Sequence, residues 1–112
     1  MKRVEALVQP SKLHAVREAL EMRGVEGFTI SEVDGFDCGS ARNEFYRGAT
    51  YAVDRQAMVK LEVAVPDHQA IPVAYTIVDS AGIDGPRDGK VSIMPVDEII
   101  RIRTDQRGAS AI

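Results

Sequence analysis

Val59, Leu61, Val63 and Val65 alternate with Lys60, Glu62 and Ala64, and this run, MVKLEVAV from Met58 to Val65, constrains the chain more than any other. Strict alternation sends successive side chains to opposite faces of an extended strand, so one face meets a core and the other does not. A sheet with one apolar face has to be covered by another layer. Two stretches offer helices for that purpose. After Pro10, residues Leu13, Val16, Ala19 and Leu20 fall at helical spacing, with Ser11 placed to cap the helix and Gly24 to end it. After Pro66, residues Ile71, Ala74, Ile77, Val78 and Ala81 line one side of a second helix that Asp67 can cap and Gly82 stops. Pro72 sits just past the free first turn and costs one backbone bond there.

The remaining strands are shorter. Arg3 to Gln9 reads as a first strand stopped by Pro10, and Gly27 to Asp34 as a second, with Phe28 and Ile30 on one face. The alternation slips at Glu32 and Val33, which predicts a bend or bulge near Glu32. A polar loop, Ile83 to Lys90, leads into a strand from Val91 to Met94, and Pro95 separates it from a last short strand, Ile99 to Arg103. The tail from Asp105 to Ile112 has no core pattern. This order predicts an α+β fold, the ferredoxin-like βαββαβ sandwich, with an antiparallel sheet and both helices on one face.

A chain of 112 residues, 45% of them hydrophobic, supports a single domain spanning residues 1–112 whose core folds without disulfides. Lys and Arg number 14 against 17 Asp and Glu, a net charge of -3, so no overall basic field points to nucleic acid or to an anionic membrane. Any cationic site is therefore local. No apolar run approaches the roughly 18 residues of a membrane span. The single Cys38 forms no intrachain disulfide and no secretory leader pattern follows Met1, so the cytoplasm is the expected compartment.

Two stretches carry candidate chemistry. In IDGPRDGK (Ile83 to Lys90) glycines free backbone N–H groups to curl toward an anion, and Arg87 and Lys90 together with Arg101 and Arg103 supply cations. On a strand Arg101 and Arg103 would share one face, an arrangement suited to a polyphosphate. A glycine turn beside a solvated basic strand is the simpler reading of those residues alone. The second stretch, Gly35 to Ala57, has no sustained period and lies between two strands. Loops longer than about 12 to 15 residues in a compact domain are usually functional or disordered. Phe45, Tyr46 and Tyr51 stand there among Arg42, Glu44, Arg47, Asp54 and Arg55, a composition equally suited to a docking surface and to a hairpin extension. Cys38 reads as passive, His14 and His68 as isolated surface or capping residues, and no nucleophile, base and orienting group share a catalytic spacing.

Taken together, EFYRGATYAVD (Glu44 to Asp54), VKLEVAVPD (Val59 to Asp67), DGK (Asp88 to Lys90) and IRIRT (Ile100 to Thr104) resemble the PII signal transduction family of the nitrogen-regulatory type, over essentially the whole chain. The resemblance implies a ferredoxin-like homotrimer whose long T-loops insert into target proteins and whose clefts between subunits bind adenine nucleotides. Carried over position by position, it implies that Gly89, Lys90, Arg101 and Arg103 hold the phosphates and that Thr29 hydrogen-bonds adenine. Leu7, Gly35, Phe36 and Ala64 would line the pocket, with Asp37, Cys38, Arg87 and Asp88 in the segments beside the phosphates. Tyr51 stands where some members are uridylylated, and Tyr46 and Arg47 belong to the loop that docks on the target.

The departures fall in the ligand segments. Where such proteins typically carry Gly-Arg-Gln, this chain has Asp37, Cys38 and Gly39; where they carry Lys before the third strand, it has Met58; and a stretch that typically reads TGKIGDGK is IDGPRDGK. In the family the Gln helps hold magnesium and 2-oxoglutarate beside ATP, and the Lys pairs with a 2-oxoglutarate carboxylate. Each charge-assisted bond lost is worth about 1.5 to 3 kcal/mol, so two losses amount to roughly a hundredfold or more in affinity. Asp37 adds negative charge near the γ-phosphate position. The expected protein is a nucleotide-sensing regulator, not an enzyme, that favours ADP or AMP over Mg-ATP with 2-oxoglutarate. Its expected partners are its own copies and a target such as a membrane transporter or a metabolic enzyme. An ATP and 2-oxoglutarate sensor with slow hydrolysis, or a trimeric interaction protein without a ligand, are the alternatives.

Overall fold

A computed structural model describes residues 1–35, 45–46, 49–50, 56–82 and 89–112, with main chain alone for 45–46 and 49–50. The elements run β1 (Lys2–Val8), α1 (Leu13–Met22), β2 (Thr29–Gly35), β3 (Phe45–Tyr46), β4 (Ala49–Thr50), β5 (Gln56–Val65), α2 (Asp67–Ala81) and β6 (Lys90–Pro95). Four strands form an antiparallel sheet in the order β2-β5-β1-β6, and β3 pairs with β4 in a separate two-stranded ribbon. Both helices contribute to a core against one sheet face, as the ferredoxin-like order requires.

Register explains which side is covered. Val4 lies opposite Val63, Ala6 opposite Leu61 and Val8 opposite Val59, and all six are buried. Facing residues of an antiparallel pair point to the same side, so these make the helix face. Val16 and Leu20 of α1 and Ala70, Val73, Ala74 and Ile77 of α2 close over it. Burying one such aliphatic side chain contributes about 1.5 to 3 kcal/mol, which the polar alternation of β5 allows on this face only.

Several expectations change. The slip at Glu32 does not produce a bulge: β2 pairs with β5 without interruption from Thr29 opposite Glu62 to Gly35 opposite Gln56. β2 is an edge strand largely open to solvent, and Ile30 stays 48% exposed, so polarity there need not follow the pleat. Ser11 does not cap α1, because Pro10 opens a 3-10 turn over Pro10–Lys12 and Lys12 precedes the helix with no side-chain cap bond. Asp67 likewise does not cap α2. It is the first residue of that helix, and its carboxylate accepts a 2.6 Å bond from the Met1 ammonium. The inward side of α2 keeps part of the expected stripe: Ala74 and Ile77 are buried as expected, but Ile71 and Val78 are exposed with Tyr75 at the next turn between them, and Ala70 and Val73 are buried instead. A strongly apolar helix offers more than one plausible stripe, and packing selects among them.

Both helices end at the expected glycines, Gly24 beyond α1 and Gly82 beyond α2; Gly82 has φ 70, a conformation costly for a side chain with a Cβ. The largest change is at the C-terminal end. No strand forms from Ile99 to Arg103; Ile100 makes a single bridge with Arg107, and the chain reverses between them, with Asp105 at φ 62. The Arg101 N–H donates to the Gln106 carbonyl and the Asp105 N–H to the Arg101 carbonyl, each at 2.9 Å. The tail then closes in a short 3-10 helix, Gly108–Ala111, whose Ala111 is buried. A tail without a periodic core pattern still docks, through backbone bonds and one methyl group.

Candidate functional site

The open face of the sheet collects most of the described candidate residues. Leu7 lies opposite Lys60 on one side and Lys90 on the other; Arg3 lies opposite Ala64 and Met94; Thr29 lies opposite Glu62. Since Val4, Ala6 and Val8 point to the helices, Leu7, Thr29, Gly35, Ala64 and Lys90 all belong to the helix-free face. Alternation in the sequence put only Ala64, with Lys60 and Glu62, on the face away from the core; the pairings place the other four.

Within that face the candidates form two groups at opposite ends. At one end stand Leu7, Gly89 and Lys90; the cavity of about 230 Å3 that they border opens past the sheet end toward α2, where Val8, Ile77, Val78 and Ala81 line it. Gly89 lies directly on β1: a Cβ there would overlap the Leu7 carbonyl oxygen, so the chain can approach this closely only as glycine. Gly35 lies toward the same end, paired with Gln56. A Cβ at Gly35 would come within 3.3 Å of the Met58 side chain, and Met58 is buried. At the other end, Thr29 and Ala64 border a cavity of about 470 Å3 with Arg3, Glu62, Val96 and Ile99. Ala64 stands opposite Arg3, four residues from Leu7 along β1, which separates the groups by about 13 Å.

The remaining cations follow the second group in the chain. Arg101 borders a cavity of about 510 Å3 with Arg23, His68 and Ile112, and its guanidinium is bonded to the main-chain oxygens of Ala111 and Ile112 at 3.1 Å each. Arg103 is exposed in the turn. The expectation that the two arginines share a strand face does not hold, because the strand is replaced by that turn. Phe36, Asp37, Cys38, Arg47, Tyr51, Arg87 and Asp88 lie outside the described residues, as does the Tyr46 side chain.

Charge on the open face is layered. Glu5 and Glu62 are directly opposite each other, and Arg3 pairs with both, with Nε 3.6 Å from Glu62 and Nη2 3.9 Å from Glu5. One row along, Lys60 and Lys90 flank Leu7, and among the described residues no carboxylate lies within ion-pair distance of either. Lys60 was not singled out from the sequence, although the same alternation that buries Leu61 puts it beside Leu7. The pairing of the Arg101 side chain with the tail main chain had no sequence signal, since any residues at 111 and 112 present the same oxygens.

The family described as nitrogen regulatory protein P-II matches residues 1–106. The chain belongs to the nitrogen regulatory protein P-II family. It is 42% identical to the nitrogen regulatory protein P-II of Cereibacter sphaeroides, 43% to that of Haemophilus influenzae and 41% to nitrogen regulatory protein P-II 1 of Escherichia coli (strain K12). Each match spans 100% of both chains, all 112 residues. These P-II relatives bear the name of a regulatory protein. Among the described residues no helix is long and apolar enough to cross a membrane.

Proposed function

We propose that the protein is a P-II-type signal regulator that binds an adenine nucleotide between copies of itself and controls a partner protein through the segment between Gly35 and Gln56. The observation that carries this reading is the separation of the candidate residues. Leu7, Gly89 and Lys90 at one end of the open face, and Thr29 and Ala64 at the other, lie about 13 Å apart on a sheet face that no described element of the same chain covers, so a nucleotide touching them is enclosed only when a second copy supplies the opposite wall. An interface does this, where one copy offers Leu7, Gly89 and Lys90 and its neighbour offers Thr29 and Ala64. A homotrimer in the cytoplasm satisfies this geometry and covers the open sheet face.

The ligand preference follows from Met58 and Gly39. The Met58 side chain lies against Gly35 and offers no cation to a carboxylate, and Gly39 has no amide side chain to help hold a metal. ADP or AMP therefore binds at least as tightly as ATP, and 2-oxoglutarate adds nothing. As a sensor the protein releases its nucleotide unchanged. Titration calorimetry with ADP, AMP and ATP, with and without magnesium and 2-oxoglutarate, tests the reading alongside sedimentation of the free protein. A stable monomer at micromolar concentration, or no heat with any nucleotide, overturns it.

A further inference from the structure

Arg101 is held by the end of its own chain. Its Nε and Nη2 donate 3.1 Å hydrogen bonds to the main-chain oxygens of Ala111 and Ile112, and the buried Ala111 seats that tail. The tail is anchored from its other end as well. Arg107 pairs with Glu98 at 2.8 Å, the Gly108 N–H donates to the Ile99 carbonyl at 3.0 Å, and the Ser110 hydroxyl donates to the Arg107 carbonyl at 2.9 Å.

A guanidinium has five N–H donors in a rigid fork. Nε and Nη2 form one edge of that fork, so the tail engages a single edge and leaves the other, made by Nη1 and the second Nη2 hydrogen. That remaining edge, like the engaged one, has two parallel donors for two oxygens of an anion. A tail filling every donor would compete with an anion, whereas a tail filling one edge fixes the direction of the other. The donor count decides for the second.

We propose that the main chain of Ala111 and Ile112 is a positioning element for Arg101, aiming its free Nη1–Nη2 edge at a phosphate of the nucleotide, which rests on the nucleotide reading above. Arg101 is otherwise exposed, and a long exposed side chain gives up rotamer freedom when a ligand immobilises it. Here that ordering precedes the ligand. The tail therefore raises affinity without touching the nucleotide.

ADP titration calorimetry on four proteins tests this: the intact chain, a chain lacking Ala111 and Ile112, Arg101→Ala, and the combination. Removing the two residues weakens ADP binding roughly two- to tenfold, the equivalent of immobilising one long side chain, and has no further effect once Arg101 is alanine. Ala111→Asp, which places a carboxylate at a buried position and undocks the tail without shortening the chain, reproduces the pattern. Unchanged binding overturns the proposal, and tighter binding overturns it in favour of a competing tail. Equal weakening in both backgrounds also overturns it, because a general structural loss does not depend on Arg101. Absence of ADP heat with the intact chain is a separate outcome that removes the nucleotide reading and this proposal together.

Discussion

Gly89 lies so close to Leu7 that a Cβ at position 89 would overlap the Leu7 carbonyl oxygen. The contact joins the start of β6 to β1 and sets where Lys90 leaves the sheet, opposite Leu7. Gly89→Ala forces the backbone apart at this point, an overpacking that costs about 1 to 3 kcal/mol. Thermal denaturation is expected to show that loss together with weakened ADP binding. A variant of unchanged stability and affinity would mean that the chain relaxes there freely.

Lys90 and Arg103 are exposed cations without an ion-pair partner among the described residues. If each contacts phosphate, Lys90→Ala and Arg103→Ala each lower ADP affinity by about 1.5 to 3 kcal/mol while circular dichroism stays that of the intact protein. Calorimetry on both variants decides the point, and unchanged binding in both places the phosphates elsewhere.

The response to 2-oxoglutarate is expected to be recoverable. Met58→Lys with Gly39→Gln restores an ammonium and an amide, and heat from 2-oxoglutarate in the presence of Mg-ATP should then appear where the unaltered protein gives none. Met58 is buried, so the lysine carries a desolvation cost and the regained affinity stays below that of two full charge-assisted bonds. Magnesium-dependent 2-oxoglutarate binding to the unaltered protein would show that neither side chain is needed.

Glu98 gives a pH signature. The hydrogen bond from Arg107, joined by one from the Ile99 N–H, holds its carboxyl below the usual glutamate value of 4.5. The folded chain therefore takes up that proton less readily than the unfolded chain. The resulting stabilisation is complete above about 4.5 and fades as pH falls through the lower folded value. Glu98→Gln should lower the melting temperature slightly at pH 7, with the difference shrinking as the pH falls below 4.5 and the carboxylate is lost. A displacement that stays the same across that pH range would assign the effect to packing.

The alternation of β5 was enough to define a one-faced sheet, because a period of two is a property of the strand itself. With the two helical runs it also defined the α+β order, and the joined motifs from Glu44 to Thr104 pointed to the family. The same alternation placed Ala64 on the open face, whereas Leu7 and Lys90 were put there by the pairing of β1 with β5 and β6. Other choices belonged to the tertiary structure. Ile71 and Val78 turned outward because a helix apolar on several sides is oriented by what it packs against, here the sheet and α1. Ile99 to Arg103 alternates like a strand, yet the partner of Ile100 is Arg107, so the segment pairs with its own tail and not with the sheet. The separation of Thr29 from Gly89, and the hold of Ala111 and Ile112 on Arg101, depend on the distance between remote segments and on main-chain oxygens common to every residue. No local pattern encodes either one.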